Sequence, residues 1–571
     1  MHQPASSSAT PTPTTSLDKM LASRFTPFLI LLLVTLCVML PVWLIGLPFS
    51  GHDAATHARW QVVFAEQFWG GEPYPRWLGE LNQGLGSPAF FIYPPLPHII
   101  AALLAPLSDG AAWAQQRLGI ASTLALLVGS GGAYLWLREL TRERVSALCG
   151  ALVFLLAPYH LFLDTYYRAA YAELWAFAWA PFSLWAIHVL ARKPARGVFV
   201  YTLATAALAL SHAPSCLVLP PLYLVYAALL SYSTRRKSIL LWTCGASAAA
   251  VMITGAYLAT ALAHQNYINT AALYTGFFEF DRWMLLSGRW PGGELTISGI
   301  AVVQFAALFV LGVAMPRASQ RDQGHRILMR SALAASIFML FMMTTIAAPL
   351  WELVPIAKKV QFPWRLLTAQ TMLFALVFAL YVLWVRRTDR QARSLRHWLT
   401  LPLLAMLIAV NVGLAFIARP AFERHPMVNQ IDVPEYQLGD IGGTAALFDK
   451  DSNIRVLSGQ GTARLEAVSA RHLRIHLDAA SEVRIVVRQF FYPGWQCTDT
   501  GTPAHCRVTS LNPQTPALTI DAGAGRRQID VVLGKTQSER IGILVSCCGL
   551  VLLVLLCLAA HIGSRRASKR F

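Results

Sequence analysis

Charged side chains make up only 13% of the 571 residues, about half the share found in soluble domains. Acids are scarcest, with 29 Asp+Glu against 47 Lys+Arg and a formal net charge of +18. With 55% hydrophobic residues, 28 Phe and 17 Trp, this excludes a disordered, fibrous or ordinary cytosolic protein. No internal repeat is visible. No glycine-rich stretch matches a phosphate loop, and no Cys-x-x-Cys pair suggests a zinc site. Length alone would suggest about three to four soluble domains. Long charge-free runs indicate one large membrane domain instead.

A spanning helix needs about 20 mostly apolar residues. Segments 25–52, 118–137, 145–163, 174–191, 295–316, 331–351, 366–385, 397–418 and 541–564 each supply one. Segment 197–234 supplies two, broken near Ser211-His212-Ala213-Pro214, and 238–278 holds one span and a polar aromatic tail. The expectation is therefore twelve transmembrane helices. Segment 81–108 is equally free of charge, but Tyr93-Pro94-Pro95-Leu96-Pro97 removes three backbone donors in five residues. The positive-inside rule decides its placement. If it does not cross, the cytoplasmic segments hold 24 Lys+Arg against five acids, and the short outer loops hold nine against eleven. If it crosses, the bias inverts. It reads as a re-entrant or interfacial helix within a first outer loop at 48–116.

This topology divides the chain into a disordered cytoplasmic tail (1–24), a transmembrane domain of eleven helices (25–418), an outer domain (419–540), a last helix (541–564) and a basic cytoplasmic tail (565–571). The outer domain alternates apolar and polar residues at Leu473-Arg474-Ile475-His476-Leu477, with similar runs at 483–487, 518–520 and 529–533. Period-two runs between short turns argue an antiparallel sheet or sandwich. Seven cysteines fall in the expected helices, and the other two, Cys497 and Cys506, flank a turn-rich stretch of the outer domain. An oxidising compartment would pair them as a disulfide. The charge excess follows topology, so nucleic acid is not an expected partner.

Polar groups held at one membrane face are candidates for chemistry. The first outer loop carries Asp53, His57, Arg76 and Tyr93. Asp53 and His57 are four apart and share a helical face, although Asp53 reads equally well as the N-cap of an interfacial helix. The second outer loop carries Asp164, Arg168 and Glu173, which read alternatively as a solvated turn with an Asp–Arg pair. A third set is Lys358, Trp364 and Arg365, with Pro363 suited to a first helical turn; its plainer reading is an interfacial anchor. Carboxylates and cations converging from three loops suit an anionic lipid headgroup.

With these pieces in place, the sequence resembles the GT-C superfamily of membrane glycosyltransferases. It is most similar to the YfhO-like and "6-pyruvoyl-tetrahydropterin synthase related" bacterial membrane proteins. The resemblance rests on Asp53–His57, Pro75-Arg76-Trp77, Phe91–Pro97, Ala157-Pro158-Tyr159, Arg168–Glu173, Gln361–Arg365 and Phe491-Tyr492-Pro493-Gly494-Trp495. It implies a mainly α, polytopic GT-C-like fold with a β-sandwich-like outer domain. It further implies inverting transfer of a sugar from a polyprenyl-phosphate carrier to a glycan, lipid or protein acceptor. The site would face the periplasm from a bacterial inner membrane, with both termini cytoplasmic. Asp53 would be the general base, with Glu173 or Asp164 orienting the acceptor. Arg365, Lys358, Arg168 and Arg76 would hold the carrier phosphate, with His57, Tyr93 and Trp364 around the acceptor. No DxD motif lies in the outer loops of the transmembrane domain, so a required divalent metal is doubtful, although Asp53 and His57 offer two ligands. A lipid or polysaccharide transporter (a flippase, for instance) and a non-catalytic envelope assembly factor are the competing classes.

Overall fold

The computed structural model describes residues 23–48, 51–107, 113–289, 294–314, 323–387, 407, 431–449, 452–499 and 506–568. The span expected at 397–418 lies, but for Leu407, outside the described residues.

Six helices are long and apolar enough to cross a membrane, or seven if the bent pair Ser238–Ile253 and Gly255–Tyr267, at 61°, is one span. The expected count of twelve is thus larger than the number of such helices among the described residues. Several expected spans are broken. The first divides into Thr26–Val38 and Leu40–Ile45, because Pro41 falls in the first turn of the second piece and cannot continue the first. Segment 197–234 breaks as expected, into Pro194–Ala209 and Ala213–Thr234. The described residues of segment 81–108 form the short helices Ala89–Ile92 and Leu96–Leu103 and the 3-10 turn Ala105–Leu107, all well below a spanning length.

Small residues let the long helices approach closely. The helix Ala114–Thr141 packs along Tyr171–Leu190, and a Cβ on Gly129 would lie 3.2 Å from the Ala178 Cα. Leu367–Arg387 lies on Arg144–Leu156, where a Cβ on Gly150 would meet the Ala375 carbonyl at 2.9 Å. The last helix, Gln537–Ser568, returns against Gly255–His264. There a Cβ on Gly542 would fall 2.6 Å from the Gly255 carbonyl. This core positions the loops that carry the polar residues.

The outer domain is a pair of four-stranded antiparallel sheets, ordered β1-β4-β7-β6 and β2-β3-β8-β5. The strands are β1 (Ile454–Ser458), β2 (Gly461–Ser469), β3 (His472–Ala479), β4 (Val483–Phe490), β5 (Trp495–Asp499), β6 (Cys506–Ser510), β7 (Ala517–Ala522) and β8 (Gly525–Leu533). Leu473, Ile475 and Leu477 of β3 join Ile485 and Val487 of β4 in one buried core, while Arg474, His476 and Asp478 alternate outward. Cys497 and Cys506 form a disulfide with Cα atoms 6.1 Å apart.

The first outer loop enters this sandwich. Trp77, Leu85 and Phe91 belong to its core. The Trp77 indole donates to Gln489 Oε1 at 2.8 Å, and the Phe490 N–H donates to the Leu85 carbonyl at 2.6 Å. Asp432 accepts from Trp60 Nε1 at 2.9 Å and from the Ser87 hydroxyl. The sandwich is therefore built onto the loop that carries Asp53.

Candidate functional site

The site begins where two loops touch. Gly51 packs so closely on the second outer loop that a Cβ there would lie 2.8 Å from the Ala169 Cβ. Two residues on, the Asp53 N–H donates to the Arg168 carbonyl at 3.0 Å. Asp53 precedes the helix Ala54–Trp69, but its side chain does not cap it. The capping role that the sequence allowed is not adopted. Among the described residues the half-buried Asp53 carboxylate has no hydrogen bond or ion pair, yet its charge acts on His57, Tyr93, Arg168 and Arg365.

The second loop is not the solvated turn that its composition allows. After Pro158 the chain winds as a π-helix, Tyr159–Tyr167, closed by the Arg168 N–H on the Leu163 carbonyl at 2.8 Å. Such widened turns recur at functional sites because they re-aim side chains. Ala169 follows with φ +53°, and an inverse γ-turn centred on Ala170 starts the helix Tyr171–Leu190. This path puts Asp164, Arg168 and Glu173 together inside the protein, at 0%, 5% and 1% exposure. Arg168 Nη1 contacts Asp164 Oδ1 at 2.9 Å and Glu173 Oε2 at 3.1 Å.

The third loop closes the group. Arg365 sits in the 3-10 turn Pro363–Leu366, with its Nε 3.7 Å from Glu173 Oε2. Its Nη1 donates to the Val360 carbonyl and Gln361 Oε1, both at 2.8 Å. Gln361 has φ +66°, an unusual conformation for a side-chain-bearing residue, and its amide in turn donates to the Leu273 carbonyl at 2.8 Å. Tyr159 and Thr368 donate to Glu173 Oε1 at 2.7 and 3.2 Å. Phe362 lies under both guanidinium groups, with its ring centre 4.8 Å from the Arg365 Cζ and 5.9 Å from that of Arg168. Trp364 stacks on Phe362 at 4.4 Å.

Two expected phosphate contacts lie elsewhere. Lys358 is half-exposed and pairs with Glu352, so it is not part of this group. Arg76 is buried against Glu539 at 3.2 Å and donates to the Ala256 carbonyl at 2.9 Å, which ties the first loop to the last helix. In the structure both sit in ion pairs away from the Asp164–Arg168–Glu173–Arg365 group. A third sub-cluster lies behind Asp53. His57 packs edge-on against Trp60, Tyr93 and Tyr171, and its Nδ1 lies 3.2 Å from His98 Nε2. Burial pulls the His57 pKa down to about 4, opposed by the Asp53 charge. Among the described residues no three His, Cys, Asp or Glu side chains converge as metal ligands.

No protein-family model and no curated protein matches the chain. Among solved structures, the chain is similar to the arabinofuranosyltransferase AftD from Mycobacteria, at 16% identity and a TM-score of 0.43. That match covers 71% of this chain and 27% of AftD, so the chain spans about a quarter of that protein's length. It is also similar to ArnT from Cupriavidus metallidurans in the apo state, at 16% identity and a TM-score of 0.28, over 64% of this chain and 78% of that one. These likenesses are too loose to transfer an activity.

The side chains themselves define what the site can do. Arg168 meets the carboxylates through Nη1, and its other donors make no bond to described residues. The site thus combines a carboxylate without a partner among the described residues, two buried guanidinium groups and an aromatic wall. Tyr159, Thr368, His98 and Gln61 were not among the expected residues. Tyr159 was marked only as part of the resembling Ala157–Tyr159 segment, and nothing in the local sequence marks the other three, because each meets its partner only through the fold.

Proposed function

We propose that the chain is an integral membrane glycosyltransferase. It moves a sugar from a polyprenyl-phosphate-linked donor to a hydroxyl of a glycan, lipid or protein acceptor, at the periplasmic face of a bacterial inner membrane. The observation that carries this reading is the Asp53 carboxylate. It has no partner among the described residues, while its own backbone N–H fixes it to the loop bearing Arg168. A carboxylate held rigidly by its backbone, with its oxygens uncommitted, suits a general base. Asp53 would take the proton from the acceptor hydroxyl as that oxygen attacks the anomeric carbon and inverts it.

Arg168 and Arg365 offset the charge that grows on the departing lipid phosphate. Asp164 and Glu173 hold the two guanidinium groups in place beforehand, so little reorganisation is needed when the phosphate arrives. The pair also prevents two uncompensated cations from repelling each other inside the protein. The test is Asp53→Asn, measured as sugar transfer from a polyprenyl-phosphate donor in membranes that contain equal amounts of folded protein. A loss of about 10²–10⁴-fold is expected for a general base. Unchanged transfer removes Asp53 from that role.

A further inference from the structure

The residues behind Asp53 carry a separate observation. His57 Nδ1 lies 3.2 Å from His98 Nε2, and His98 Nδ1 lies 3.0 Å from Gln61 Oε1. All three side chains are buried. With the Gln61 amide oxygen turned to His98, which leaves the buried Gln61 Nε2 without a bond among the described residues, His98 donates from Nδ1. A neutral His98 then has a lone pair on Nε2, and His57 must donate to it from Nδ1. This leaves His57 Nε2 as a bare acceptor. Burial keeps both rings neutral: the His57 pKa is pulled down to about 4, and that of His98 well below the usual histidine value, with the neighbouring His57 adding to the effect.

The groups that face His57 do not satisfy this lone pair. Tyr171 donates its hydroxyl to the Pro97 carbonyl at 2.5 Å, and Trp60 donates its N–H to Asp432 at 2.9 Å. Asp53, one turn earlier on the same helix, brings a negative charge and no proton. Tyr93 and His57 meet edge to face, 5.8 Å between ring centres, with no hydrogen bond between them. Among the described residues, His57 Nε2 has no hydrogen bond.

We propose that Gln61, His98 and His57 form a polarised hydrogen-bond chain whose bare end, His57 Nε2, accepts a hydrogen bond from a sugar hydroxyl beside Asp53. This rests on the glycosyl-transfer reading and deepens it. His57 is then a specificity residue, and His98 and Gln61 are positioning residues that act through it. Tyr93, half-buried beside His57, provides a wall against which the apolar face of a sugar ring packs, and Trp60 is buried behind it. An acceptor without the recognised hydroxyl leaves the Nε2 lone pair unmatched and is turned over roughly tenfold or more less efficiently.

Nitrogen NMR of the full chain, labelled with 15N-histidine in phosphatidylglycerol and phosphatidylethanolamine vesicles, tests the chain without a transfer assay. A 15N–15N coupling across the N–H···N bond identifies the His57–His98 pair in the native protein, so the test does not depend on a variant that folds. The expected spectrum at pH 7 shows both rings protonated on Nδ1 and bare at Nε2. Octyl β-glucoside, added below its micelle concentration as a sugar-hydroxyl probe, is expected to move the His57 Nε2 signal without protonating it. In Gln61→Glu the new carboxylate favours a charged His98, which donates to His57 Nδ1. The His57 proton then moves to Nε2 and the glucoside response disappears. A proton on His57 Nε2 in the native chain, or a signal unmoved by the glucoside, overturns the proposal. The expected spectrum together with a fully active Asp53→Asn leaves the chain standing and removes the transfer reading.

Discussion

Glu173 is the residue on which the buried charges balance. It meets Arg168 at 3.1 Å and Arg365 at 3.7 Å, and accepts from Tyr159 and Thr368. Asp164 has one partnered oxygen, with Oδ2 buried and unbonded. Removing one partner of a buried ion pair costs about 3–5 kcal/mol, because the remaining charge is stranded. Glu173→Gln strands Arg365 and leaves Arg168 with Asp164 alone, whereas Asp164→Asn leaves both cations paired to Glu173. Thermal unfolding in detergent is expected to show the larger loss for Glu173→Gln, about 3–5 kcal/mol. Equal losses would mean that Arg168 alone organises the group. His57 makes a second prediction at this scale. Its folded pKa, about 4, lies below the ordinary value of 6.5, so below pH 6.5 the unfolded chain takes a proton that the native one does not. Its contribution is complete above pH 6.5 and is lost as the pH falls through about 4. The amount is on the order of 3 kcal/mol. Stability measured from pH 7 to pH 4 is expected to fall less steeply in His57→Gln than in the native chain. Parallel curves would place His57 in a less buried setting. The Asp164–Arg168 spacing was legible in the sequence, but its burial was not. A four-residue spacing looks the same in a solvated turn and in a π-helical turn packed inside the protein.

At the scale of elements, the joint between the first outer loop and the sandwich is the most constrained part of the molecule. Gly86 has φ +84°, and a Cβ there would lie 2.3 Å from the Trp77 ring. Trp77 is fully buried and packs against Tyr492 and Trp495 of the Phe491–Trp495 segment. Gly86→Ala therefore carries both backbone strain and a clash. Trp77→Ala leaves a cavity, with a loss of about 3–5 kcal/mol. Limited proteolysis is expected to release the sandwich from either variant faster than from the native protein, with Tyr74→Phe as a neighbouring control. A sandwich that stays resistant would show that the last helix alone holds it. The strands were readable because period-two burial survives in the sequence, as in Leu473, Ile475 and Leu477. The docking was not. The Tyr-Pro-Gly-Trp segment resembled a family feature, but its partner Trp77 lies hundreds of residues away. The partner of Arg76 was hidden for the same reason: Glu539 opens the last helix, and an isolated arginine beside a tryptophan looks available.

At the scale of the whole molecule, the charge asymmetry and the disulfide make one testable statement. The segments assigned to the cytoplasm hold 24 Lys+Arg against five acids, and the outer short loops hold nine against eleven. By the positive-inside rule these counts predict which way the bundle faces. The Cys497–Cys506 bond in the sandwich independently predicts an oxidising side. The two arguments rest on different physics, insertion energetics in one case and redox compartment in the other, and they agree on the same face. Ser510, at the end of β6, and Arg235, between Ala213–Thr234 and Ser238–Ile253, are both exposed. A membrane-impermeant thiol reagent that passes the outer envelope is expected to label Ser510→Cys in intact cells and Arg235→Cys only after lysis. The seven native cysteines outside the disulfide provide the background, measured in the unsubstituted chain. The reverse pattern would put the Asp53 site on the cytoplasmic side, where sugar donors are soluble nucleotides, and a polyprenyl-phosphate donor would lose its rationale.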